Sequence, residues 1–129
     1  MAQATASLSN YRQSPRKVRL IADLVRGKSV DRALALLATL PKRGSEPMEK
    51  LVRSAIANAV QQGAAASDLV IEKIEVNGGI VFKRSMPRAR GRASAIHKKS
   101  SHITLALGIK SGAPRAKKVA SVKAPAVKK

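Results

Sequence analysis

Cysteine is absent from the 129 residues, and tryptophan with it. Without cysteine there is no disulfide, no cysteine nucleophile and no thiolate metal site. Aromatic side chains are nearly absent too: Tyr11 and Phe82 are the whole set, 2% of the chain. A protein that holds single strands by stacking successive bases on aromatic platforms needs more than that. No window approaches the roughly 18 consecutive apolar residues of a membrane span, so no membrane partner is expected. The start, Met1 to Leu8, has no cation and no apolar core, so neither a secretory signal nor an Arg-bearing presequence is expected.

Negative charge is the most telling shortage. Asp23, Asp31, Glu46, Glu49, Asp68, Glu72 and Glu75 are the only acids, and none follows Glu75. Against these 7 stand 26 Lys and Arg, a formal charge of +19. An ordinary small domain carries a net magnitude of roughly 2–8. Twelve of the cations precede Ile80 and fourteen follow it with no counter-charge at all. Like charge at that density repels itself, so the compact state calls for a polyanionic partner. Hydrophobic residues make up 44%, enough for a small core, so the chain is more than a basic tail.

The first part reads as three helices. Ser14-Pro15 is an N-cap followed by proline at the first helical position, and Gly27 marks the stop. Between them Val18, Ile21, Ala22 and Val25 fall at i, i+3, i+4 and i+7, one apolar stripe. A second helix starts at Ser29, carries Asp31 in its first turn, packs Val30, Ala33, Leu34, Leu37 and Leu40, and stops at Pro41. The third starts near Ser45, with Glu46, Pro47 and Glu49 where acids and proline are favoured. Met48, Leu51, Val52, Ala55, Ile56 and Ala59 are its stripe, and it fades at Gln61-Gln62-Gly63.

Then the period changes to two. Leu69 and Ile71 alternate, as do Ile74 and Val76, with the phase slipping between Glu72 and Lys73, the mark of a bulged strand. Ile103, Leu105, Leu107 and Ile109 form a second alternating strand, and Ala4, Ala6 and Leu8 a weaker third. The segment from Gly79 to Ser101 is far longer than an ordinary hairpin loop of about 2–5 residues. It carries seven Lys or Arg between Lys83 and Lys99 and has no apolar face. Two readings compete: a disordered basic loop, or two strands running out as a ribbon. Mirror symmetry about Arg88 would set Ile71 near Leu105 and Val81 near Ala95, with arms of roughly 25 Å. Such a ribbon has no core of its own and is ordered only against walls of opposite charge. Beyond Lys110 the Ala, Lys, Pro and Val run without period, a flexible cationic tail.

Catalysis finds no support. His97 and His102 have no carboxylate after them and no cysteine to complete a metal site, so no metal and no cofactor is expected. Glu72 and Glu75 read as a solvated face rather than a catalytic pair. There is no HExxH, no Gly-x-Ser-x-Gly and no P-loop. Arg12, Arg16, Lys17 and Arg19 surround the start of the first helix, where amides and cations together suit an anion. In the long segment Lys83, Arg84, Arg88, Arg90, Arg92, Lys98 and Lys99 are biased to arginine, whose planar fork matches phosphate. Met86 and Pro87 fit a minor-groove wedge, a packing contact on RNA, or simple turn residues. An architectural DNA-binding protein would also be small, basic and cysteine-free. It would, however, have a dimer-forming helix rich in large apolars, and no homo-oligomer is expected here.

Four blocks carry a family likeness. Ser14-Pro-Arg-Lys-Val-Arg-Leu-Ile-Ala-Asp-Leu-Val-Arg-Gly27, Ser54-Ala-Ile-Ala-Asn-Ala59, Lys83-Arg-Ser-Met-Pro-Arg-Ala-Arg-Gly-Arg92 and Ser101-His-Ile-Thr104 occur in that order. Together they resemble the bacterial-type large-subunit ribosomal protein twenty-two family from about Leu8 to Ile109. The resemblance implies a structural, non-enzymatic constituent of the large subunit that binds large-subunit rRNA, aids assembly and touches neighbouring ribosomal proteins. It implies a long hairpin lining the peptide exit tunnel, where Met86, Pro87, Arg88, Ala89, Arg90, Gly91 and Arg92 face the nascent peptide. In that family the hairpin affects macrolide sensitivity and some nascent-chain stalling. The implied location is the ribosome in the cytoplasm of a bacterium, with an organellar ribosome as the alternative.

The fold expected is therefore α+β: three helices on a small three-stranded antiparallel sheet, with a long protruding β-hairpin and a disordered basic C-terminal tail. Residues 1–110 would form one rRNA-binding domain, its hairpin extension at about 80–101, followed by the tail at 111–129.

Overall fold

A computed structural model describes residues 4–109. The order is β1 (Ala4–Tyr11), α1 (Pro15–Val25), α2 (Val30–Thr39), α3 (Ser45–Gln61), a 3-10 turn at Ala66–Asp68, β2 (Leu69–Pro87), a second 3-10 turn at Ala89–Gly91, and β3 (Ala93–Ile109). The tail from Ser111 lies outside the described residues.

The helices form where their stripes and punctuation place them. Pro15 opens α1, with φ already set for a helix. Ser14 holds the N-cap position in extended backbone, but its hydroxyl makes no capping bond; its carbonyl instead accepts from the Lys17 and Val18 amides at 3.0 and 3.3 Å. At the other end the Gly27 amide donates to the Ile71 carbonyl, and the Ile71 amide donates to the Lys28 carbonyl, each at 3.0 Å. These two bonds seam the α1–α2 connection to β2. Val18, Ile21, Ala22 and Val25 are buried on α1, Val30, Ala33 and Leu37 on α2, and Met48, Leu51, Val52, Ala55 and Ala59 on α3. Leu34, Leu40 and Ile56 pack against them at the margin.

The sheet is antiparallel with β3 in the middle, order β1-β3-β2. Ile103, Leu105 and Leu107 of β3 face the helices together with Leu69, Ile71, Ile74 and Val76 of β2, and all are buried. Full burial of each such chain contributes about 1.5–3 kcal/mol. The alternation places every large apolar side chain of this set on one face, so α1 and α3 cover that face.

The register differs from mirror symmetry about Arg88. Ile71 opposes Leu107 and Val81 opposes Lys99, and the ladder closes at Pro87 opposite Ala93, so the turn centres on Arg90. Two causes combine. Arg90 and Gly91 take left-handed backbone, φ 59° and 66°, and glycine accepts that region without strain. Pro87 thus remains on the strand, and the Arg88 amide donates to the Arg92 carbonyl at 2.7 Å to close the turn. In addition β2 carries two bulges, between Ile71 and Lys73 and between Gly78 and Val81. The first is the phase slip read at Glu72 and Lys73. The second lies at the glycine pair, and a Cβ on Gly79 would come within 2.7 Å of Ser100 Oγ and 2.9 Å of His102 Nε2. A side chain there would have to displace Ser100 Oγ and the His102 ring.

Above the second bulge the sheet continues as a two-stranded ribbon. No helix covers it, and from Val81 to Lys99 all but Ser94 are exposed outright. The competing reading of the segment as a formless loop is set aside by this ladder.

Candidate nucleic-acid interface

The interface is built where the ribbon leaves the body. The first turn of α1 faces the second bulge of β2 across an open groove of about 310 Å³. Arg16 and Arg19 from α1, Gly78 and Gly79 from β2, and Lys99 and Ser100 from β3 border it. Gly78 leaves the backbone open to a close approach, with nothing within 4 Å of where a Cβ would stand, whereas the space at Gly79 is filled by Ser100 and His102. A hydrogen bond of 2.6 Å from Ser100 Oγ to the Ile80 carbonyl satisfies the bulge and fixes the direction in which the ribbon departs.

Alternation gives the ribbon two chemically different faces. On the helix side lie Val81, Lys83, Ser85 and Pro87 with their partners Lys99, His97, Ala95 and Ala93. On the far side lie Phe82, Arg84 and Met86 with Lys98, Ile96 and Ser94. The large apolar groups beyond Val81 are thus confined to one face, and that face also holds Arg84 and Lys98. Arg12, in the connection after β1, reaches the same face, with its guanidinium 4.8 Å from the centre of the Phe82 ring. The Arg84 guanidinium lies 5.9 Å from the same ring. Asn10 directs Arg12 there: it adopts left-handed backbone, φ 56°, at the irregularity that ends β1, and its amide donates to His102 Nδ1 at 3.1 Å.

The cations named from sequence separate into groups. Arg16 and Lys17 stand exposed at the start of α1. Arg19 is exposed as well, but its guanidinium is committed: its Nε and Nη2 both donate to the Val76 carbonyl, at 3.2 and 3.1 Å, a clasp between α1 and β2. Arg26, about two turns further along, donates Nη2 alone to the Ile74 carbonyl at 3.2 Å. Lys83 and Lys99 are on the helix side of the ribbon, Arg84 and Lys98 on the far side, and Arg88, Arg90 and Arg92 with Met86, Pro87, Ala89 and Gly91 make up the exposed tip. Arg88 Nε reaches Ser94 Oγ at 3.5 Å, across the neck of the turn.

Charge is partitioned as sharply as shape. The ion pairs among the described residues join Arg26 to Asp23, Lys50 to Glu46, Arg53 to Glu49 and Lys73 to Glu75, all on the body. The hydrogen bond and charge of Lys50 hold the Glu46 carboxyl below its ordinary value, and those of Glu46 raise the Lys50 ammonium. None of these pairs includes a cation of the groove or ribbon. Among the described residues no group of three or more His, Asp or Glu is placed to hold a metal ion. The chemistry available is recognition of anions by an unneutralised cationic arm.

Phe82 escaped notice as a site residue, and so did the clasping role of Arg19. An aromatic two residues before an arginine in a strand shares its face, and that spacing was the available signal. For Arg19 no local signal exists, because its acceptor is 57 residues away.

Comparison with known proteins places this arrangement in context. A family model described as ribosomal protein L22p/L17e matches residues 6–108. The large ribosomal subunit protein uL22 of Geobacter sulfurreducens is 50% identical over 109 residues, covering 84% of this chain and 98% of the relative. Its counterpart from Herpetosiphon aurantiacus is 51% identical over 104 residues, 80% of this chain and 92% of the relative. That of Syntrophotalea carbinolica is 50% identical over 109 residues, 84% and 99%.

Proposed function

The chain belongs to the ribosomal protein L22p/L17e family, structural proteins of the large ribosomal subunit, and we propose that it binds large-subunit rRNA with the root of its ribbon and lines the peptide exit tunnel with the tip. It works as a scaffold and not as an enzyme. The observation that carries the proposal is the ribbon itself: a ladder from Val81–Lys99 to Pro87–Ala93 with no core beneath it and no carboxylate paired to its cations. A like-charged ribbon of that kind gains its order from a phosphate-lined passage.

In this reading residues 1–110 act as one unit. The body folds on its own core and docks through Arg12, Arg16 and Lys17. Lys83, Arg84, Lys98 and Lys99 tie the arms to rRNA phosphates, which aids subunit assembly by holding separated rRNA segments against one protein. Arg19 steadies the α1–β2 junction beneath this surface and adds its remaining donors to it. Met86, Pro87, Arg88, Ala89, Arg90, Gly91 and Arg92 reach the tunnel and meet the nascent peptide, and the body's outer side meets neighbouring ribosomal proteins.

Binding of the purified chain to a bacterial large-subunit rRNA transcript across a salt series tests the first half. The logarithm of affinity should fall linearly with the logarithm of salt, by about 0.7–0.9 for each phosphate neutralised. A photo-reactive residue at position 90 tests the second half in translating ribosomes. Cross-links to the nascent chain are expected, and a tip that reacts with rRNA alone removes the tunnel role.

A further inference from the structure

Phe82 is the only phenylalanine in the chain and stands 37% exposed on a ribbon that has no core. Packing does not explain an aromatic there. What surrounds it is charge: Arg12 at 4.8 Å, Arg84 at 5.9 Å, and Lys98 directly opposite across the ladder. Arg12 and Arg84 come from different elements, one from the connection after β1 and the other from β2. Two guanidiniums that share one ring carry like charge and repel each other. The negative face of the ring offsets that repulsion, and a guanidinium within about 6 Å of a ring centre is attracted to it.

Stacking also leaves the useful part of each guanidinium free. A guanidinium that meets a ring with its flat face keeps its in-plane N–H donors for a phosphate, which is gripped by two parallel bonds. Arg84 gives one donor, Nη1, to the Lys83 carbonyl at 2.8 Å, which further fixes the plane of its fork. We infer that Phe82 is the positioning residue of a phosphate clamp, its ring holding Arg12 and Arg84 side by side so that both forks engage the RNA backbone at the root of the ribbon. The inference rests on the rRNA binding proposed above and names the group that organises it. It also gives the ribbon a second fastening to the body, because Arg12 belongs to the body and Phe82 to the arm.

The test is a double-variant cycle on the full chain: parent, Phe82→Leu, Arg12→Gln and the double variant, titrated against a bacterial large-subunit rRNA transcript. Phe82→Leu should weaken binding about 2–5-fold, the equivalent of one exposed cation–π contact. Phe82→Tyr, which keeps the ring, should stay within about twofold of the parent. The double variant should lose less than the sum of the two single losses, because Arg12→Gln has already emptied half of the clamp while Arg84 still depends on the ring. The salt slope of Phe82→Leu should flatten by about 0.7–0.9 if the clamp loses one phosphate. Losses that simply add, or an affinity loss with the parent's slope, would show the ring meeting RNA directly and overturn the clamp. A second measurement needs no RNA. In the free protein the Arg12 Cδ protons should be shifted upfield by the ring in parent and Phe82→Tyr, and released in Phe82→Leu; unshifted protons in the parent also overturn it. A parent chain that fails to bind the transcript sinks the rRNA reading along with the clamp. Binding by the parent with additive variants sinks the clamp alone.

Discussion

Excision of Ser85, Met86 and Pro87 separates the body from the tip. Above its second bulge the ribbon has seven opposed pairs, from Val81–Lys99 to Pro87–Ala93, roughly 23 Å of strand at 3.3 Å per residue. The excision removes the last three, so the final pair becomes Arg84–Ile96 and the ribbon recedes by roughly 10 Å. The connection between paired arms grows from the five residues 88–92 to the eight residues 88–95. Closing a loop lengthened in that ratio costs only about 0.4 kcal/mol by the logarithmic rule. The root therefore keeps its register and its faces. All three excised residues are exposed, so the body should melt within about 0.5 kcal/mol of the parent. Ribosomes assembled with this variant as the sole copy should sediment normally. Their response to macrolides and to stalling peptides should change, because the tip no longer reaches the passage. A second excision, Ser85 and Met86 with Ser94 and Ala95, shortens the ribbon by two pairs while retaining Pro87–Ala93 and the turn, which isolates length from turn shape. Normal assembly with unaltered macrolide inhibition and peptide arrest in both variants would refute a tunnel role for this tip.

Leu105→Ala, at the fully buried centre of β3, should cost about 3 kcal/mol in urea unfolding at fixed salt; a cost under about 1 kcal/mol would contradict the core assignment. Arg19→Ala removes two part-buried donors from the Val76 carbonyl and should lower stability by about 1 kcal/mol while lowering RNA affinity less than Arg16→Ala does. Amide exchange on the free chain should show protection in α1, α3 and the base of β3 and rapid exchange across Arg84–Lys99, with protection there appearing on RNA binding. Because Lys50 lowers the Glu46 carboxyl from its usual 4.5, the pair stabilises above that value and the contribution is lost as pH falls through the lowered one. Glu46→Gln should therefore lower stability slightly at neutral pH, flatten the acid limb, and meet the parent's curve once pH has fallen below the lowered value.

The body was legible in the sequence because its signals are local. The stripes of α1 and α3, Pro15, Gly27, the phase slip at Glu72 and the alternation from Ile103 each lie within one turn or one strand of their cause. The register of the ribbon was not legible, because it depends on where Arg90 and Gly91 accept a positive φ. A turn centred on Arg90 rather than Arg88 moves Val81 from a place opposite Ala95 to one opposite Lys99, and the two bulges below it then set Ile71 opposite Leu107. At the site, the basic blocks announced an anion partner, yet equal charges conceal unequal work. Arg19 clasps a carbonyl, Arg12 stacks on a ring and Arg90 turns the backbone. Composition counts these three as one kind of residue, and only geometry separates them.

The position of β3 between its two neighbours also dictates an order of events during synthesis. Ala4 pairs with Leu107 and Leu8 with Ile103, so the first strand made waits for the last. At about 5–20 residues per second the wait lasts roughly 5–20 s. During it α1, α2 and α3 are made in turn with their apolar stripes, before the strand that completes their core. β2 and β3 join as neighbours along the chain, with a short closure at the tip; β1 must find its partner across about 100 residues, a contact of the kind that slows folding. The charged arm is therefore finished before the body is sealed. Until β1 docks, the exposed edge of β3 and the half-covered helices are the chain's most aggregation-prone surfaces, and an RNA already grasped by the arm would keep them apart while the last strand closes.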